Sequence, residues 1–135
     1  MIVVDASALL ETLLQTDLAG RLMERLFEPS ASLHAPHLLD IEVTHAFRRM
    51  VQRKDITAVR AEQGLADFSQ LHIERHGHQA LTGRIWQLRE SMTAYDGAYV
   101  ALAEALDAPL LTCDAKLAHA HGHRARIDLI TVASS

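Results

Sequence analysis

The sequence contains a single cysteine and no long apolar run. One cysteine, Cys113, excludes an internal disulfide framework and is typical of a reducing compartment. No apolar segment approaches the roughly 20 residues needed to cross a bilayer. Residues 1–5 have neither the basic start nor the long apolar stretch of a secretory signal. These absences predict a cytoplasmic protein that does not bind membranes.

The sequence also lacks the surplus of positive charge that is usual in nucleic-acid-binding domains. It has 13 Lys and Arg against 17 Asp and Glu, so its formal net charge is −4 with the nine histidines counted as neutral. This objection weakens if several carboxylates converge on one divalent cation, because two added positive charges would change −4 to −2. Composition alone therefore leaves the partner open.

Apolar residues are arranged in a pattern that predicts strands alternating with helices. Short runs typical of buried strands occur at residues 2–4, 32–35, 110–112 and 127–132, with a weaker one at 71–75. Helical spacing of apolar residues covers 9–14, 18–27, 37–53, 57–71, 79–91, 95–106 and 115–121. This alternation predicts an α/β fold, a three-layer α/β/α sandwich around a mostly parallel sheet. At 135 residues the chain is expected to be one domain, residues 1–135.

Two of the predicted strands end in an acid that a helix follows at once. Asp5 ends the first run and Asp114 follows the strand at 110–112. In open α/β sheets, ligands bind in the crevice beyond the carboxyl ends of the strands, where both acids would point. Asp96 lies at the start of a further helix, and Glu42 lies about one turn into the long helix. The four acids are therefore candidates for one shared site.

A plainer interpretation applies to each acid alone. Aspartate favours helix N-termini, where it accepts hydrogen bonds from free backbone N–H groups, and Glu42 would be a solvated side chain. Capping does not require Ser7 two residues after Asp5. It does not require Thr112 two residues before Asp114 either. The flanking hydroxyls thus favour one shared functional site over separate helix N-caps.

Four carboxylates in one cleft suit a hard divalent cation. Like charges raise one another's pKa, and Mg²⁺, which prefers near-octahedral oxygen coordination, removes that penalty. The ion would lower the pKa of a bound water and neutralise charge on a scissile phosphate. The hydroxyls of Ser7 and Thr112 would orient the carboxylates.

Four segments of the chain together resemble the PIN-domain nucleases, and most closely the VapC-type toxins of bacterial toxin–antitoxin pairs. They occur in the family's order and span nearly the whole chain: IVVDASAL (2–9), APHLLDIEV (35–43), TAYDGAYVALA (93–103) and LLTCDAKL (110–117). The positions that match the family's acidic site are Asp5, Glu42, Asp96 and Asp114. The resemblance implies a Mg²⁺ cofactor, with Mn²⁺ as a substitute, and makes Asp5 and Asp96 its safest ligands.

The implied function is that of an endoribonuclease toxin, which cleaves RNA with metal-activated water and leaves a 5′-phosphate and a 3′-hydroxyl. The implied partners are RNA, a VapB-like antitoxin and a second copy of the chain. Lys116, two residues after Asp114, is the candidate for contact with the RNA backbone. A leucine-rich segment is expected to contribute to the core, and the resemblance adds an antitoxin groove near it: Leu18, Leu22, Met23, Leu26 and Phe27.

Several alternatives stay open at this point. A haloacid-dehalogenase-like phosphatase needs a second aspartate where this chain has Ser7, which disfavours it. A PIN-domain nuclease of RNA processing, outside any toxin pair, would share the same acids. A catalytically silent binding module would keep the fold and the caps. His119, His121 and His123 suggest zinc, but a solvated helix end is favoured because zinc sites need three or four converging ligands.

Overall fold

Residues 1–132, which the computed structural model describes, form one five-stranded sheet and seven helices. Residues 133–135 of the predicted domain lie outside the described residues. The strands are β1 (Ile2–Val4), β2 (Leu33–Pro36), β3 (Ile73–His76), β4 (Leu110–Thr112) and β5 (Ile127–Leu129). The helices are α1 (Ala6–Leu13), α2 (Ala19–Leu26), α3 (Leu38–Gln52), α4 (Ala58–Ser69), α5 (Thr82–Gln87), α6 (Ala94–Leu106) and α7 (Ala115–His119).

The order of the strands creates a crevice at the centre of the sheet. All neighbouring strands are parallel, in the order β3-β2-β1-β4-β5. Strands β2 and β3 therefore lie on one side of β1, and the later strands β4 and β5 lie on its other side. At the boundary between β1 and β4, where this direction reverses, the connections that leave the two strands diverge. The residues that follow β1 and β4 line that crevice.

Two groups of helices pack on the sheet. Helix α6 contacts β1, β2 and β4, and α5 packs against α6. Helices α1 and α3 contact each other; α1 also contacts β4, and α3 also contacts β2. Helices α2 and α4 pack against α1. The predicted α/β/α sandwich is confirmed, and within residues 1–132 its sheet is entirely parallel.

Burial explains why the central strands form where they do. All three residues of β1 and of β4 are buried, as a strand covered by helices on both faces requires.

Among the described residues, no helix is both long enough and apolar enough to cross a membrane.

The predicted helix at 79–91 is wrong in length. The structure has a 3₁₀ turn at Gln79–Leu81, and α5 then ends at Gln87. Leu88, which is 2% exposed, turns into the core. Turn-type hydrogen bonds from Arg89 to Trp86 and from Ser91 to Leu88 replace the helical ones. The last strand is also shorter than predicted, because β5 ends at Leu129 rather than at residue 132.

The leucine-rich segment contributes only part of its side chains to the core. Leu18, Leu22 and Leu26 are buried, whereas Met23 and Phe27 are 45% and 51% exposed. Met23 and Phe27 are four residues apart and so share one side of the helix. That side faces solvent, so the expected contribution of the segment to the core comes from its three leucines.

Candidate active site

Asp5 is the most buried acid at the crevice, with an exposure of 6%. It follows β1 and caps α1, since its Oδ1 accepts a hydrogen bond from the backbone N–H of Ala8 at 3.0 Å. Oδ1 also accepts from the Ser7 hydroxyl at 2.7 Å, and Oδ2 accepts from the Thr112 hydroxyl at 2.5 Å. Because both carboxylate oxygens are held, the orientation of the side chain is fixed.

Two hydroxyls tie the segments that follow β1 and β4 to each other. The Ser7 and Thr112 oxygens lie 3.2 Å apart, one on each side of Asp5. Ser7 Oγ accepts from the backbone N–H of Cys113 at 2.9 Å, and Thr112 Oγ1 accepts from that of Asp114 at 2.9 Å. The structure thus places both predicted orienting residues on a carboxylate and on the neighbouring backbone.

Asp114 and Asp96 differ in what their carboxylates do. Asp114 caps α7, because its Oδ1 accepts from the backbone N–H of Lys116 at 2.9 Å. Asp96 is not a cap: Thr93 caps α6 by accepting the Asp96 N–H at 3.2 Å. Asp96 is half-buried, and its carboxylate makes no hydrogen bond to another residue in the described range 1–132. Helix capping therefore accounts for Asp5 and Asp114 but leaves Asp96 without a structural role.

Glu42 brings the long helix α3 to the crevice, where it meets Tyr99 of α6. Tyr99 is 2% exposed, and its hydroxyl approaches the half-buried Glu42 without completing a hydrogen bond of normal geometry. Within the described chain it is the one buried side-chain nitrogen or oxygen with no partner. Sequence reasoning missed Tyr99, although a position three residues after Asp96 lies on the same side of α6.

The electrostatics show that the four acids face one another. Burial, with a smaller contribution from the charge of Asp114, raises the pKa of Asp5 to about 6 against the lowering effect of its hydrogen bonds. Burial also raises the pKa of Glu42, to which Asp96 adds. The pKa of Asp96 is raised by burial and then by Asp114, while the ammonium group of Lys116 lowers it. The acids that follow β1 and β4 and those of α3 and α6 are thus close enough to disfavour charge on one another.

The spacing of these carboxylates decides how they would hold a metal. Protein oxygens bound directly to one Mg²⁺ lie within about 4.2 Å of one another, twice a bond length near 2.1 Å. No three of the four acids bring their oxygens within 4.8 Å of one another in the described chain. An oxygen-only donor set with such gaps fits a hard cation that keeps several of its own waters. The acids therefore fit a hard divalent cation, with water between some ligands and the ion.

A second group of possible ligands was not found by sequence reasoning. His34, Glu74 and His76 place one ligand atom each within 4.8 Å of the others, and no other set of three or more does so among residues 1–132. They lie on β2 and β3 and include none of the four acids. The predicted zinc alternative at His119, His121 and His123 does not form such a group.

Comparisons with known proteins agree with this architecture. The family model described as a PIN domain matches residues 3–127. Ribonuclease VapC12 of Mycobacterium tuberculosis is 42% identical over 130 residues, which cover 96% of this chain and 99% of the relative. Ribonuclease VapC1 of the same species is 43% identical over 129 residues, or 95% and 96% of the two chains.

Solved structures show the same fold at low sequence identity. The crystal structure of VapBC2 from Rickettsia felis, bound to a DNA fragment from their promoter, contains a chain with a TM-score of 0.70 and 15% identity. That match covers 96% of this chain and 99% of the other. A crystal structure from Pyrobaculum aerophilum also gives 0.70, at 22% identity, over 95% and 83% of the two chains.

Proposed function

Because the chain belongs to the PIN-domain family and matches VapC ribonucleases over almost its whole length, we propose that it is the endoribonuclease toxin of a toxin–antitoxin pair. Its four-carboxylate cleft uses Mg²⁺, or Mn²⁺ in its place, to hydrolyse RNA phosphodiesters. The observation that carries this proposal is the meeting of Asp5, Glu42, Asp96 and Asp114 at the sheet crevice, where burial and neighbouring carboxylates disfavour the charges of Asp5, Glu42 and Asp96. A divalent cation offsets that repulsion.

Each acid has a distinct part in holding the ion. Asp5 is a fixed ligand, since its two oxygens are oriented by Ser7 and Thr112. Asp96 has no other hydrogen-bonded role in the described chain, so it is free to turn toward a cation. Glu42 and Asp114 complete the set of carboxylates around the ion, and some of these bind it through a water molecule.

When bound, Mg²⁺ lowers the pKa of a water and neutralises charge on the phosphate. The chain's own residues then position the RNA. Lys116 is exposed at the start of α7 and close enough to Asp96 to lower its pKa, so its ammonium group can pair with a phosphate beside the cleft. Hydrolysis in this carboxylate cleft leaves a 5′-phosphate and a 3′-hydroxyl.

The proposed partner is a VapB-like antitoxin, which would cover a groove beside α2. The groove is about 630 Å³ and is lined in part by Leu26, Phe27, Leu33, Leu71 and Ile73. Half of the Phe27 side chain is exposed there, although it is apolar. A cytoplasmic location and homodimerisation belong to the same proposal. A Phe27→Asp chain that still copurifies with its antitoxin at wild-type yield would contradict the groove assignment.

The nuclease proposal is tested by induced expression of the wild-type chain and Asp5→Ala, followed by mapping of cellular RNA ends. The expected result is growth arrest and new 5′-phosphate ends with the wild type only. A Glu62→Gln chain, changed at an exposed acid of α4, is the matched control and should behave as wild type. Cyclic 2′,3′-phosphate ends, or equal cleavage by Asp5→Ala, would overturn the proposal.

A further inference from the structure

Three possible metal ligands lie together on the sheet, away from the carboxylates of the cleft. His34 lies on β2, and Glu74 and His76 lie on the edge strand β3. The strands pair with His34 opposite Glu74 and Pro36 opposite His76. Because alternate residues of a strand point to the same face, all three side chains share one face of the sheet.

The ligand atoms of these side chains converge on one point. His34 Nδ1 lies 2.9 Å from His76 Nε2 and 3.5 Å from Glu74 Oε2. His34 is 4% exposed, whereas the Glu74 side chain is 68% exposed and His76 is half-buried. The cluster therefore has a rigid inner ligand and an outer side open to solvent.

A neighbouring hydroxyl lies against the nitrogen of His34 that is not part of the cluster. Ser32 Oγ lies 2.9 Å from His34 Nε2. When that nitrogen carries the proton and donates it to Ser32, Nδ1 presents its lone pair to His76 and Glu74. Metal-binding imidazoles are commonly oriented by such a bond from the opposite nitrogen. Burial also lowers the pKa of His34, which favours the neutral ring that metals require.

In the tautomer in which His34 Nε2 carries the proton, one repulsion stays unresolved without a metal. An N–H of His76 can satisfy the lone pair on His34 Nδ1. The Glu74 carboxylate at 3.5 Å faces the same lone pair, so two acceptors then oppose each other. A cation bound here would accept a lone pair from each of the three ligand atoms.

We propose that His34, Glu74 and His76 bind a single divalent transition-metal ion of the Zn²⁺ class. Two imidazoles and one carboxylate suit Zn²⁺, Co²⁺ or Ni²⁺ better than Mg²⁺, which prefers oxygen ligands. Ligand atoms of a tetrahedral zinc site lie about 3.3 Å apart. The spacing of His34 and Glu74 is close to that value, and the two imidazoles need to separate by only a few tenths of an ångström. Water would occupy the fourth position, on the open side.

The ion would join the edge strand β3 to β2. The site shares no residue with the carboxylate cleft, so it does not depend on the proposed nuclease function. The expected effect of occupancy is a stabilised sheet edge, seen as a higher Tm.

The test uses the full chain without an affinity tag, in an Asp96→Asn background that weakens the carboxylate cleft. After removal of metals, Co²⁺ is titrated while its visible absorption is recorded, and Zn²⁺ is then added as competitor. We expect one Co²⁺ per chain, with the strong absorption of a four- or five-coordinate site, and displacement by Zn²⁺. Glu74→Gln and His76→Asn should each weaken binding by at least about tenfold.

His72→Asn is the matched control, because His72 is exposed just before β3 and lies outside the cluster. Its Co²⁺ spectrum and its rise in Tm with Zn²⁺ should equal those of the parent. The proposal is overturned if the parent binds no Co²⁺, or if Glu74→Gln and His76→Asn together leave binding unchanged. It is also overturned if His72→Asn loses binding equally. Circular dichroism checks that each variant is folded, and Glu74→Gln changes a largely exposed side chain.

Discussion

Asp5 combines strong hydrogen bonding with a disfavoured charge. Ser7, Thr112 and the backbone of Ala8 all donate to its carboxylate. Burial nevertheless outweighs these bonds and raises its pKa to about 6. The carboxylate is therefore held in one position, and a bound cation would supply the positive charge that stabilises its ionised form.

This shift predicts a specific pH dependence for the metal-free protein. Between the unfolded pKa near 3.8 and the folded pKa near 6, the folded chain binds more protons than the unfolded chain, so stability falls as pH rises. Across this window, the free energy of unfolding that is lost through Asp5 is roughly 3 kcal/mol. Asp5→Asn removes this contribution. Urea unfolding in EDTA from pH 4 to pH 7 measures both chains.

The informative quantity is the difference in unfolding free energy between Asp5→Asn and the wild type. It should grow in favour of the variant as pH rises through that window, and added Mg²⁺ should reduce it at pH 7. A difference that stays constant with pH, or that shifts toward the wild type, would contradict the assigned burial of the Asp5 charge.

Tyr99 supplies a second prediction at this scale, because its buried hydroxyl has no hydrogen-bond partner among residues 1–132. Burying an unsatisfied polar group costs about 1–3 kcal/mol. Tyr99→Phe should therefore leave the metal-free chain as stable as the wild type or raise its unfolding free energy by about 1 kcal/mol. Thermal unfolding in EDTA measures this. A loss of more than about 1 kcal/mol would mean that the hydroxyl is hydrogen-bonded in solution.

At the scale of elements, sequence reasoning succeeded where the signal was local. The strands β1 and β4 are short apolar runs, and an acid that also caps the next helix marks where each connection begins. Tyr99 and the group of His34, Glu74 and His76 could not be found this way. They depend on the approach of Tyr99 to Glu42 across the crevice and on the register of β2 with β3, which no local pattern specifies. Helical spacing likewise cannot tell the exposed Phe27 from the buried Leu26.

The contact between α3 and α4 gives a prediction for helix packing. A Cβ atom added at Gly64 would lie 2.6 Å from the ring of Phe47, which is 1% exposed and cannot easily move. Gly64→Ala should therefore destabilise the chain by about 1–3 kcal/mol through overpacking, despite alanine's better helix propensity. Urea denaturation measures the change.

Gly20 of α2 is the matched control for that variant. A Cβ atom there would meet nothing within 4 Å, so Gly20→Ala should be neutral or should stabilise the chain by up to about 1 kcal/mol. If both alanine variants were equally stabilising, α3 and α4 would have room to separate, and the close approach seen at Gly64 would be unimportant.

At the scale of the whole molecule, strand order determines where the acids meet. Because β1 and β4 are neighbours in a parallel sheet, Asp5 and Asp114 lie at the same end of the strands, although they are 109 positions apart in the sequence. Helices α3 and α6 then bring Glu42 and Asp96 to that end. Under the proposed function, this clustering also explains how a chain with a net charge of −4 could act on RNA, since a bound cation would offset part of the local charge.

The initial rate of cleavage of a purified RNA, followed as a function of Mg²⁺ concentration, tests this shared cation most directly. Wild type and the Glu62→Gln control should show the same saturable dependence on Mg²⁺ and no cleavage in EDTA. Asp96→Asn should lose at least about 100-fold in rate, because a ligand is lost while the fold remains. Wild-type cleavage in EDTA, or an Asp96→Asn rate equal to that of the wild type, would contradict a metal held by the four carboxylates.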